Sequence, residues 1–172
     1  MTMREDLAGL NNQTSNRWTQ PLDQGFFEYL LELEVRKATR YLYYFSLLVV
    51  KLDKLNLGAG KVNEEAVSQK LADLLREEIR GTDLLGKKMD NTFFIILNYA
   101  DMDIAGKVAN RIRERVMLYT FEAATKKEQL TVSIGVSCFP TSANDVEGLV
   151  QKAEEQLIKA ERRGGNVVSL PE

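Results

Sequence analysis

Hydrophobic positions recur along this chain with two spacings, and the switches between them mark out the elements. Over 21–41, Phe26, Phe27, Leu30, Leu31, Leu33 and Val35 form a broad apolar face and predict a helix. Asp23 is placed to cap its start, and Arg36, Lys37 and Arg40 lie near its C-terminal end, where cations suit the macrodipole. The run 43–52, YYFSLLVVKL, is almost continuously apolar and predicts a buried strand. A Gly-containing connection over 53–63 leads into a second amphipathic helix, 64–80. Its Val67, Leu71, Leu74, Leu75 and Ile79 share one side, and acidic residues open it.

The stretch 80–97, RGTDLLGKKMDNTFFIIL, predicts a β-hairpin. Leu84 and Leu85 form a short apolar run, 86–92 is polar and turn-forming, and 93–97 is uniformly apolar. So apolar a strand is expected in mid-sheet, covered on both faces. A third helix follows at 101–116 on Ile104, Val108, Ile112 and Val116, then a charged loop or short edge at 118–128. Strand 130–139, LTVSIGVSCF, is rich in β-branched residues. A turn at 140–145, a helix at 146–162, a Gly164-Gly165 stop and a short terminal strand at 167–170 complete the chain. Helices alternate with strands around one central hairpin. The expected fold class is α/β (α+β), a mixed and mainly antiparallel sheet flanked by helices on a ferredoxin-like plan.

Composition narrows the possibilities. The 172 residues suit one domain, expected over 21–172 behind a polar, flexible lead-in at 1–20 in which Trp18 packs on the body. A net charge of −2 provides no general polyanion surface, so no nucleic-acid partner is expected. Histidine is absent, which removes the commonest general base and zinc ligand. The lone Cys138 sits in an apolar strand and reads as a buried structural thiol in a reducing compartment. No segment has a signal-peptide layout or the ~18 apolar residues of a membrane span, so a cytoplasmic location is expected.

Five segments, in register over most of the chain, resemble the GGDEF domain of bacterial diguanylate cyclases. They are LLVVKLD, ADLLREEIRGTD, the turn at 89–93, LTVSIGVS and KAEEQLIKAERRGGN. The resemblance implies a signalling domain that joins two GTP molecules into cyclic di-GMP. Attack of a 3′-hydroxyl on an α-phosphate needs Mg²⁺ held by carboxylates and cations on the phosphates. Carried over residue by residue, those requirements fail here. The first Asp of the family's Asp-x-Asp corresponds to Lys51, while Asp53 keeps the second. The pentapeptide falls on Met89, Asp90, Asn91, Thr92 and Phe93, with both glycines and both acids replaced. The phosphate-binding Lys and Arg fall on Glu161 and Gly165. The guanine-recognising loop is shortened, leaving Asn56 and Asn63 unaligned. Loss of catalysis and of the Mg²⁺ site is therefore expected, with no other cofactor.

One family feature is kept. Arg80-Gly81-Thr82-Asp83 stands where the resemblance puts an inhibitory Arg-x-x-Asp site for cyclic di-GMP, assisted by an arginine of the next helix, Arg111 or alternatively Arg113. A structural role fits the same residues, with Arg80 ending a helix and Asp83 capping the turn. The expected partners are cyclic di-GMP and a second copy or another signalling protein. Two further expectations concern Lys51, pairing with Asp90 or Asp53, and the aromatics Tyr41, Tyr43, Tyr44 and Phe45, serving as core and rim packing rather than a base-stacking platform.

Overall fold

The computed structural model describes residues 20–53, 64–88, 90–123 and 126–171. The expectations for the lead-in, Trp18, Asn56, Asn63 and Met89 fall outside them. The elements are α1 (Gln24–Tyr41), β1 (Phe45–Leu52), α2 (Glu64–Glu78), β2 (Leu84–Lys87), β3 (Thr92–Asn98), α3 (Met102–Leu118), β4 (Thr120–Ala123), β5 (Lys126–Gln129), β6 (Val132–Phe139), α4 (Val146–Arg162) and β7 (Val168–Ser169).

Five strands form one sheet in the order β2-β3-β1-β6-β7. Every pairing is antiparallel except β6 with β7, so the mainly antiparallel mixed sheet is as expected. Alternation along the strands sorts the core into two layers. Leu48, Val50, Phe93, Ile95, Val132, Ile134 and Val136 pack beneath α2 and α3. Phe45, Leu47, Val49, Phe94, Ile96 and Phe139 pack beneath α1 and α4. Gly135 sets the depth of α4. A Cβ there would stand 2.0 Å from the Ala153 carbonyl oxygen and 2.3 Å from the Leu157 nitrogen, so the helix backbone lies directly on the strand.

Three helices have the carboxylate caps that satisfy their first free amides. Asp23, Asp101 and Asp145 accept from Phe26, Ile104 and Gly148 respectively. Several expectations need correction. Helix α1 begins at Gln24, because Leu22 instead makes a parallel bridge to Gly86 on the β2 edge. Its apolar face is also narrower than expected. Phe27 and Leu31 are buried, whereas Phe26 and Leu33 are exposed. The stretch expected as a loop or edge at 118–128 contains a separate two-stranded sheet, β4-β5, anchored by buried Phe121. Cys138 is buried, as expected.

Candidate functional site

The C-terminal end of β1 is where the sequence leads one to look first. Lys51 pairs across the sheet with Thr92 of β3 and with Ser133 of β6, so the strand end does lie beside the hairpin turn. The turn itself is made by two left-handed residues, Asp90 at φ 61° and Asn91 at φ 54°. Asp and Asn are the side chains that best tolerate this region after glycine. The turn therefore closes, with the Lys88 amide donating to Thr92 O at 2.8 Å.

The expected pairing of Lys51 with Asp90 or Asp53 is overturned. Its ammonium lies 2.9 Å from Glu161 Oε1, on α4. Both side chains are a little over one-third exposed, which makes this a wet ion pair. Asp53 has other partners. Its Oδ2 accepts from the Thr131 hydroxyl at 2.6 Å and the Asn166 amide at 2.8 Å, and its Oδ1 accepts from the Ser133 hydroxyl at 2.5 Å. Gly165 completes the enclosure. It has φ +77°, and a Cβ on it would stand 2.9 Å from the Asp53 carboxyl carbon. Together with Lys51, Asp53, Glu161, Arg162 and Gly164 it lines a recess of about 630 Å³.

Among the described residues this donor set does not fit a divalent cation. The carboxylate just after β1, Asp53, already accepts three hydrogen bonds from hydroxyl and amide donors. An ammonium occupies the neighbouring position, and Glu161 is drawn to that ammonium. Among the described residues no three His, Cys, Asp or Glu side chains gather as a metal site. On the adjoining surface, Lys88 of the turn pairs with Glu154 at 3.0 Å and covers the Phe94 ring at 5.6 Å.

At the other end of the hairpin, Arg80, Asp83 and Arg111 share a cleft of about 70 Å³. Asp83 is 4% exposed. One of its oxygens accepts from the Arg80 amide at 2.9 Å and the other from the Asn98 amide at 3.0 Å, which ties the end of α2 to the end of β3. The Arg80 side chain is exposed and makes no ion pair among the described residues. Arg111 Nε meets Glu78 Oε2 at 2.6 Å, and its Nη2 also donates to the Glu78 carbonyl. Arg113 lies elsewhere, bonded to Asn166 and Glu114. Behind the cleft, burial holds the Arg76 guanidinium below its ordinary value while nearby Asp83 opposes that shift. Arg76 Nη1 donates to the Asp83 carbonyl at 3.2 Å.

The sequence reading missed three residues. Glu161 reads in the sequence only as a lost cation, although an acid opposite a lysine at position 51 is a signal that could have paired them. Glu78, which holds Arg111, and Asn98, which lines the cleft, carried no motif.

Comparison with known proteins brings these positions into one frame. A family model described as diguanylate cyclase, GGDEF domain, matches residues 17–167. Diguanylate cyclase DosC of Escherichia coli (strain K12) is 30% identical over 156 residues, 88% of this chain. Response regulator PleD of Caulobacter vibrioides is 29% identical over 143 residues, 80% of this chain. The chain spans about a third of these relatives, 34% and 32% of their lengths. Among solved structures, the GGDEF domain of TpbB (YfiN) from Pseudomonas aeruginosa has a TM-score of 0.82 at 21% identity, covering 90% of this chain and 92% of that one. The coiled coil and GGDEF domain of DgcB from Caulobacter crescentus, in complex with cyclic di-GMP, has a TM-score of 0.78 at 17% identity, covering 97% and 93%.

Proposed function

The chain belongs to the GGDEF family of diguanylate cyclase domains, and we propose that this member is catalytically silent and acts as a signalling receptor for cyclic di-GMP. The observation that carries the first half is the Lys51–Glu161 ion pair. The resemblance assigns those two positions to a metal-binding carboxylate and a phosphate-binding cation. Here each has the opposite charge and the two neutralise one another. Phosphoryl transfer is positioning plus charge stabilisation, so a site whose charges are reversed has little to offer a triphosphate.

The receptor half rests on the cleft that gathers Arg80, Asp83 and Arg111. At about 70 Å³ it admits the edge of a base and no more, leaving the rest of the ligand over the exposed Arg80 guanidinium. Guanidinium groups grip guanine and phosphate with paired donors. Arg111 must first exchange its Glu78 contact for the ligand. A second reading, an interaction module without nucleotide, is favoured by one fact: both Asp83 oxygens are already used by the backbone.

Two assays separate the readings. Incubation with GTP and Mg²⁺ is expected to yield no cyclic di-GMP, and clear product would restore the cyclase. Calorimetric titration with cyclic di-GMP is expected to give saturable heat that Arg80→Ala removes. Silence at ~100 μM protein would leave the interaction module, because any binding weaker than that carries less than about 5.5 kcal/mol of free energy.

A further inference from the structure

We propose that a recess at the start of β1, on the α1/α4 side of the sheet, binds an uncharged small molecule with a planar aromatic face. The recess has a volume of about 470 Å³ and is walled by Leu42, Tyr43, Tyr44, Phe139, Pro140 and Asn144. Small-molecule sites commonly fall in the range of about 300–1,000 Å³. It is separate from the Arg80 cleft, whose apolar walls belong to the opposite core layer.

The floor and one wall are fixed in advance. Phe139 is buried and stacks on Phe45, with centroids 5.4 Å apart and planes 15° apart. The Tyr43 hydroxyl donates to Glu34 Oε1 at 2.6 Å, and Lys37 holds the other Glu34 oxygen at 2.6 Å. Glu34 is only 5% exposed, and nothing in the proposed receptor role uses it. Its effect is to hold the Tyr43 ring from behind, while Tyr99 leans on that ring at 4.7 Å. A wall that cannot turn away loses little freedom when a ligand arrives.

The rim is in the opposite condition. Leu42 follows α1 in the left-handed region, at φ 56°, where glycine or asparagine usually stands, and its side chain is 88% exposed. Tyr44 is 52% exposed. Exposed apolar groups at the lip of a concave recess are an arrangement that a bound ligand covers. The lining contains no charged side chain, so an ionic ligand would lose its hydration without a partner. The Tyr44 hydroxyl and the Asn144 amide supply polar atoms for one edge of a neutral ring system, whose faces meet the aromatic walls.

N-phenyl-1-naphthylamine, an uncharged planar fluorophore, tests this on the purified domain. The expected result is saturable binding of one probe per chain at tens of micromolar or tighter. Leu42→Gly and Tyr44→Ala should each weaken it at least fivefold, and Arg80→Ala should leave it unchanged. Leu42→Gly suits the backbone at that position, so its fold, checked by circular dichroism, is expected to be intact. Absence of saturable binding overturns the proposal, as does unchanged affinity in both folded variants. Fluorescence that rises only in step with dimerisation, followed by light scattering, also overturns it and assigns the patch to a second copy.

Discussion

Asp53 ties three parts of the fold together through one carboxylate. Three donors converge on its carboxylate and join β1, β6 and the segment after α4. Hydrogen bonds to a charged acceptor contribute ~1.5–3 kcal/mol each before non-additivity, so Asp53→Ala is expected to cost about 2–4 kcal/mol, read by urea denaturation. Lys51→Ala should cost ~1 kcal/mol or less, because its pair with Glu161 is wet; the melting temperature should move by no more than about 4 °C. Tyr43 gives a pH signature. Burial first, and then its hydrogen bond to Glu34, raise its phenol well above the usual value of about 10. A raised pKa means that the fold favours the protonated phenol. This contribution is therefore complete below about pH 10 and is lost as pH climbs toward the folded-state value. Titration at 295 nm should show one late phenol, absent in Tyr43→Phe. The replaced residues Lys51, Asn91, Thr92, Glu161 and Gly165 were all legible in the sequence as departures. Their new partners were not, because the Lys51 and Glu161 side chains meet only once β1 and α4 are packed.

Elements were easier to read than contacts. Uniformly apolar strands and capped amphipathic helices have strong local signatures, and the strands at 45–52, 92–98 and 132–139 and the helices between them emerged close to where periodicity put them. The failures have physical causes. The first helix was read as starting too early because Leu22 looks helical by pattern, yet its backbone pairs with β2. The β4-β5 hairpin was obscured because its strands are four residues each and half of their residues are charged, with Phe121 as the chief apolar anchor. Gly135 is a feature that pattern cannot price. Gly135→Ala is expected to destabilise by about 3 kcal/mol or more, or to prevent folding, because the added carbon meets helix backbone rather than a movable side chain. The cost would appear as a lowered denaturant midpoint.

For the whole molecule, the two ends of the hairpin have separate fates. The recess around Lys51 lies beside one end, where Lys51 pairs with Thr92, and the Arg80 cleft lies at the other, with the buried β3 between them. Glu78→Gln should distinguish a ligand site from a structural corner at the second end. Freed from its ion pair, Arg111 is expected to bind cyclic di-GMP several-fold more tightly by calorimetry, whereas a corner without ligand would give no heat in either form.

The Lys51–Glu161 contact also couples the two positions to one another. Restoring a carboxylate at 51 alone would set two acids face to face, and restoring a cation at 161 alone would set two ammoniums face to face. Each single change is unfavourable, and only the double change returns to attraction, so the two positions are expected to vary together.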